Sequence, residues 1–233
     1  MLEVADLHSY YGDSHVLQGV SLAVAEREVV CLMGRNGVGK TTTLKSIIGL
    51  VQPRQGRVVF RGGGVAGLPP FRIARLGIAY VPEDRRIFPD LSADDNLELA
   101  RRASGGRAGV WTREKVLQLL PVLERVIGRP GRFLSGGEQK MLAIGRALVA
   151  NPYLLLMDEP SEGLSPIVIQ QLVEVIRTIR GEGLTVLLAD QNLEFCRQVA
   201  DRAYILEHGA VRHEGPLAEI SRNEEIVRRY LAV

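Results

Sequence analysis

Cysteine is scarce. The 233 residues hold two, Cys31 and Cys196, too far apart in sequence to suggest a disulfide pair or a metal-ligand spacing. A disulfide framework is therefore not expected; both are expected as small buried apolar residues, and a reducing compartment suits the chain better than an oxidising one. An excess of charge is missing too, since 29 Lys and Arg face 27 Asp and Glu for a formal charge of +2. With no run of five basic residues, the chain lacks a broad electrostatic footprint for nucleic acid, and direct binding to DNA or RNA is not expected. Long hydrophobic runs are absent as well. The longest, such as Val29 to Met33 and Leu184 to Ala189, fall far short of the roughly 18 apolar residues of a membrane span. Met1-Leu2-Glu3 opens neither a basic n-region nor an apolar h-region, so no secretory signal is expected. Internal repeats and low-complexity segments are also lacking.

What is present excludes disorder: 46% of residues are hydrophobic and 24% charged, and 25 glycines with 11 prolines suit a compact unit with many tight turns. Leu2 to Leu7 and Val16 to Val24 alternate apolar and polar residues around Tyr-Tyr-Gly-Asp, which predicts antiparallel strands that Val58 to Phe60 could join. Glu28 to Met33, a Gly-rich loop, and Thr41 to Leu50 read as strand, loop and helix. Ile78 to Val81 reads as a buried strand, and about Ser92 to Ala150 is almost wholly helical in pattern. Tyr153 to Met157 and Leu184 to Ala189 are further buried strands. Between them Ser165 suits an N-cap, Pro166 a first turn and Gly181 a helix stop, with Leu172, Val175, Ile176 and Ile179 on one face. Another helix is expected from about Asn192, and Tyr204 to Leu206 should pair with Val211 across His208-Gly209. This alternation implies an α/β fold with a parallel core sheet and a site at the strands' carboxyl ends.

Three motifs carry chemistry. Gly34-Arg35-Asn36-Gly37-Val38-Gly39-Lys40-Thr41 matches the G-x-x-x-x-G-K-[ST] phosphate loop between strand and helix, with Thr42 following. Its glycines let backbone N–H groups face phosphate oxygens, Lys40 can reach the β and γ phosphates, and the Thr41 hydroxyl can ligate Mg²⁺. Leu154 to Glu159 delivers two carboxylates at a strand's end. There Asp158 would hold Mg²⁺, directly or through water, and Glu159 would polarise the attacking water or accept its proton. Leu134-Ser135-Gly136-Gly137-Glu138-Gln139 opens a helix with capping-box spacing between Ser135 and Glu138. A cap does not require Gly136 and Gly137, and bare backbone at a helix N-terminus also suits an anion.

In chain order, phosphate loop, Leu134 to Gln139 and then Leu154 to Pro160, the three motifs resemble an ABC transporter nucleotide-binding subunit along essentially the whole chain. The resemblance implies a P-loop NTPase fold: a RecA-like parallel core sheet, an N-terminal antiparallel β subdomain and a helical subdomain from about 84 to 150, all in one nucleotide-binding domain over 1–233. It implies ATP and Mg²⁺ as cofactors, and ATP hydrolysis coupled to transport. It also implies that Ser135, Gly136 and Gly137 contact ATP held by a second subunit's phosphate loop, in a homodimer or a heterodimer. Transmembrane permease subunits, and indirectly a solute-binding protein, would be partners at the cytoplasmic face of the inner membrane. Tyr11 resembles the aromatic that stacks on adenine, a core-packing tyrosine being the other reading. Ser161-Glu162-Gly163-Leu164-Ser165 occupies the family's interface-crossing loop.

Three positions depart from the common family pattern. Glu83 stands where a glutamine usually ligates Mg²⁺, Gln191 stands at the switch histidine, and Ser165 stands where many relatives carry aspartate. Gln191 could hydrogen-bond a γ-phosphate or water but cannot become an imidazolium. Val81 to Pro89, Met141 to Leu148, Asp158 to Leu164 and Asp190 to Asn192 resemble branched-chain amino acid importer ATPases, the smaller of that system's two in particular. Tyr10 to His15 and the phosphate loop also resemble urea and short-amide importers. Ile87 and Phe88 could receive a permease's coupling helix or simply be buried. A DNA- or ribosome-acting ABC protein is opposed by the single motif set and by the short separation of 118 residues between Lys40 and Asp158, which leaves no room for a long coiled coil.

Overall fold

The computed structural model describes residues 1–231. β1 (Leu2–Tyr11) and β2 (Ser14–Val24) form a hairpin closed at Gly12-Asp13, with Leu2 opposite Val24 and Tyr11 opposite Ser14. Leu2, Val4 and Leu7 are buried along β1. Their spacing breaks from two to three at a register shift beside Asp6, whose φ is +52°. A bulge that inserts one residue accounts for the broken alternation. β3 (Val29–Met33) is buried throughout, the expected mark of a central parallel strand. A loop then leads into helix α1 (Lys40–Ile47).

β4 (Gln55–Phe60) adds to β1 in antiparallel sense, as anticipated for Val58 to Phe60, and the two-residue β5 (Gly63–Gly64) extends that sheet. α2 (Pro70–Leu76) was not legible in the turn-rich pattern before it; Pro70 opens it and Gly77, at φ +108°, ends it. β6 (Ile78–Val81) follows. The chain then turns helical through α3 (Ala93–Ala103), α4 (Arg113–Leu119), α5 (Pro121–Val126), a 3-10 turn at Gly131–Phe133, and α6 (Gly136–Val149). β7 (Leu154–Asp158), α7 (Pro166–Gly181), β8 (Thr185–Ala189), α8 (Leu193–Val199), β9 (Arg202–Glu207) and β10 (Ala210–Pro216) complete the alternation.

The first sheet runs β2-β1-β4-β5 and the second β10-β9-β3-β8-β7-β6, parallel except for the antiparallel edge strand β10. Period-two side-chain alternation splits the core into two layers. Val29, Cys31, Met33, Leu155, Met157, Val186 and Leu188 face the layer shared with α6, α7 and α8. Val30, Leu32, Leu154, Leu156 and Leu187 face α1 and the antiparallel sheet. Each such Leu side chain contributes about 1.5–3 kcal/mol by leaving water.

Ser165 takes the N-cap position of α7 as expected, but its side chain makes no capping hydrogen bond. The helix ends at Gly181, whereas the left-handed residue that reverses the chain is Gly183, at φ +84°. Both cysteines are buried and free, as anticipated, yet their distance in sequence misleads. Cys31 Sγ on β3 lies 2.7 Å from Cys196 Sγ on α8.

Candidate nucleotide site

The phosphate loop leaves the carboxyl end of β3. Gly34 has φ +144°, and a Cβ there would lie 2.5 Å from the Leu206 carbonyl oxygen, so no other residue fits. Gly37, at φ +81°, would meet nothing within 4 Å; its constraint is backbone shape and the open space is left for a ligand. α1 begins at Lys40 with no side-chain cap on Gly39, so its first N–H groups are free to face an anion. Val38 packs on the inner core, whereas Arg35 and Asn36 are exposed.

Lys40 is buried. Its Nζ donates to the carbonyls of Gly34 (2.8 Å) and Arg35 (3.2 Å) and pairs with Glu159 Oε1 at 3.0 Å. Glu159 follows the end of β7 at φ +43°, and its Oε2 is buried with no hydrogen-bond partner. Burial, reinforced by the charges of Asp190 and Glu162 and only partly offset by Lys40, pushes its pKa up to about 7. A carboxylate that titrates near neutrality suits a general base. Thr41 Oγ1 donates to Asp158 Oδ1 and the Tyr80 hydroxyl to Asp158 Oδ2, each at 2.8 Å. Burial and the Asp158 charge raise the Tyr80 pKa, so the phenol keeps its proton.

Asn36, Gly37, Gly39, Lys40, Thr41, Thr42, Glu83 and Glu159 line one cavity of about 320 Å³, together with Val16 and Glu162. Glu83 is exposed at its wall. Tyr11, Gln191, Ser135, Gly136 and Gly137 are not among its lining residues. Tyr11 is 49% exposed, which overturns the core-packing alternative. The packed neighbour is Tyr10, stacked 4.2 Å from His15 under the Arg54 guanidinium. Gln191 is half-buried beyond β8.

At the N-terminus of α6, Ser135 and Glu138 form the expected capping box: Glu138 N–H donates to Ser135 Oγ and Ser135 N–H to Glu138 Oε2. The two glycines also have neighbours that the pattern did not announce. A Cβ on Gly136 would lie 3.0 Å from the Arg85 guanidinium, and one on Gly137 would lie 3.3 Å from Val168.

Sequence reasoning missed several groups. Asp190 is buried and accepts from Ser161 N–H (3.0 Å), Ser161 Oγ (2.9 Å) and Asn192 N–H (2.9 Å), which ties the loop after Glu159 to the loop of Gln191. Burial raises its pKa while those bonds oppose the shift. A carboxylate at the end of an apolar strand, as in Asp158, was the available signal. Tyr80 gave none. Lys140 is fully buried and donates to the Glu159 carbonyl at 3.3 Å. Its clue was a lysine on the helical stripe of Ile144, Ala147 and Leu148.

The ABC transporter family model matches residues 17–162. The branched-chain amino acid transport ATP-binding protein BraG of Pseudomonas aeruginosa is 41% identical over 99% of both chains. The lipopolysaccharide export ATP-binding protein LptB of Haemophilus influenzae is 35% identical over 99% of this chain and 97% of its own. The probable branched-chain amino acid transport protein LivF of Archaeoglobus fulgidus is 32% identical over 100% and 99%. Among solved structures, an ATP-binding subunit of an ABC transporter aligns with a TM-score of 0.84 at 34% identity, covering 97% of this chain and 94% of that one. The dimeric, post-hydrolysis cassette MJ0796 bound to ADP and Pi aligns at 0.83 and 26%, covering 93% and 99%. Motif order, sheet topology and full-length likeness agree, and the chain belongs to the ABC transporter family as one of its ATP-binding subunits.

Proposed function

We propose that this subunit hydrolyses ATP to drive uptake of branched-chain or related amino acids, bound peripherally to a permease at the cytoplasmic face of the inner membrane. One observation carries the mechanism: the cavity holding Lys40, Thr41 and Glu159 does not include the glycine-rich helix start at Ser135 to Gly137. Each is half of a phosphate site, and two chains placed head to tail complete both, in keeping with the dimeric form of the MJ0796 cassette. The full-length likeness to BraG supports the substrate class.

In this reading the buried Lys40–Glu159 pair keeps both charges compensated before ATP arrives. Phosphate oxygens then take over Lys40, and Glu159 is released to accept a proton from the attacking water. Thr41 and Glu83 line the cavity and Asp158 lies buried behind Thr41, accepting its hydroxyl; these hard oxygen donors would hold Mg²⁺, Asp158 directly or through water. When bound there, the metal neutralises phosphate charge. Tyr11, exposed on its hairpin, presents a ring for adenine, and Gln191 presents a neutral amide where the family's switch residue acts. ATP favours the closed dimer only through contacts that the open form lacks.

The permease is assigned to a groove of about 350 Å³ between β6, α3 and α6, beside the segment of Ile87 and Phe88. Ile87 packs partly into the core, whereas Phe88 is exposed with the Arg146 guanidinium 4.6 Å over its ring. Arg85, Arg107 and Arg146 line this groove and form no ion pair among the described residues, so an acidic permease segment fits it. The test is to isolate the membrane chains that purify with this subunit and to measure hydrolysis with each solute and its binding protein. Stimulation by leucine, isoleucine or valine is expected. Stimulation by urea or short amides alone would move the chain to that branch, and absence of any permease would overturn the transport reading.

A further inference from the structure

Lys140 is 1% exposed and sits on α6, one turn beyond Gly136. A buried ammonium is costly unless it is compensated, and an apolar side chain would fill the same stripe without that cost. Its Nζ donates to the backbone carbonyl of Glu159 at 3.3 Å, and it forms no ion pair among the described residues. On its other side the Glu159 peptide N–H donates to the Ala189 carbonyl at 2.8 Å. Glu159 is thus pinned between β8 and α6, in a left-handed conformation that non-glycine residues disfavour. Burial lowers the Lys140 pKa, with Arg85 acting in the same sense and Asp190, Asp158 and Glu83 opposing.

We propose that Lys140 is a positioning residue that couples the two nucleotide sites of the dimer, by fixing the backbone of Glu159 to the helix whose first turn serves the partner's nucleotide. This rests on the dimeric reading above. Ser135, Gly136 and Gly137 engage the partner's γ-phosphate at one end of α6, and four residues along the helix Lys140 holds the chain's own general base. A displacement of α6 when it meets the partner's ATP is carried to Glu159 through one hydrogen bond. Without that bond the Glu159 carbonyl keeps only the Glu162 N–H, 3.3 Å away in its own loop, and Glu159 is freed from α6 without altering Lys40, Thr41 or the phosphate loop.

The experiment uses the assembled transporter with Lys140→Met, Lys140→Gln and Lys140→Arg. It measures fluorescent-nucleotide affinity, melting temperature, kcat and the Hill coefficient in ATP. Lys140→Met is expected to keep affinity within about twofold, to lose roughly tenfold or more in kcat, and to lose ATP cooperativity. Lys140→Arg restores donor and charge and should recover most of kcat; Lys140→Gln, a neutral donor, should fall between. Wild-type kcat and cooperativity in Lys140→Met would overturn the proposal, as would equal losses of kcat and nucleotide affinity. If the Met variant does not fold, the Gln variant decides on the same terms. Glu159→Gln runs in the same assay: full turnover there removes the proposed site itself, whereas an inactive Glu159→Gln beside a normal Lys140→Met removes only the coupling.

Discussion

The two ends of the parallel sheet use the same kinds of charge for opposite purposes. At the amino-terminal end Arg202, which opens β9, donates to both carboxylate oxygens of Glu28, to the Ala23 carbonyl and to the Tyr204 hydroxyl. Asp201 beside it accepts from Val29 N–H and is paired with Arg180. At the carboxyl end the Lys40–Glu159 pair leaves Glu159 Oε2 unbonded, Glu159 adopts a left-handed backbone, and α1 starts without a side-chain cap. Satisfied pairs at one end hold strands together. Incompletely satisfied groups at the other end keep donors, a carboxylate and helix N–H groups available for a ligand, at some cost in stability.

The contrast can be broken most sharply at Glu159. Glu159→Gln should bind ATP yet lose roughly 10²-fold or more in turnover, and a stable dimer should appear by size-exclusion chromatography in ATP; rapid steady-state hydrolysis would refute its role. Lys40→Ala comes next. It removes the cation facing the phosphates and should weaken a fluorescent nucleotide by roughly tenfold or more; unchanged affinity would count against the loop.

Gly136→Ala separates the two half-sites. The Arg85 guanidinium facing it is the end of a flexible side chain and can yield, so the fold should tolerate the methyl group. Monomer affinity for nucleotide should stay within about twofold, while ATP-driven dimerisation weakens by roughly tenfold, the worth of one charge-assisted hydrogen bond. Light scattering checks this.

The smallest effect belongs to the amino-terminal end. Burial alone would raise the Glu28 pKa, but its bonds from Arg202 and Ala25 hold it below the ordinary value of 4.5. The folded protein therefore gains stability from Glu28 above about pH 4.5 and loses it as pH falls through the lowered folded-state pKa. Glu28→Gln should cost under about 1 kcal/mol at neutral pH, because the pair is partly exposed and screened, and the difference should shrink in acid. Urea melts at two pH values measure it.

Much of this organisation was legible in the chain. Continuous apolar runs marked β3, β7 and β8 because strands buried on both faces need no alternation, and the glycine spacing of 34 to 39 encodes a backbone shape directly. α2 escaped notice because Pro69-Pro70 reads equally as a turn and as a helix start. Arg85 and Tyr80 escaped because an exposed-looking arginine and a strand tyrosine carry no spacing that points to a partner.

The sequence by itself determined the core strands, most of the helices, their order and the phosphate-loop chemistry, since hydrophobic period and glycine placement act within a few residues. Only tertiary structure decided that β3 lies between β8 and β9, and with it that Cys31 meets Cys196, that Asp190 holds Ser161, and that Lys140 reaches the Glu159 carbonyl. Those contacts join residues 19 to 165 positions apart. They depend on how whole strands and helices stack, which no local pattern records.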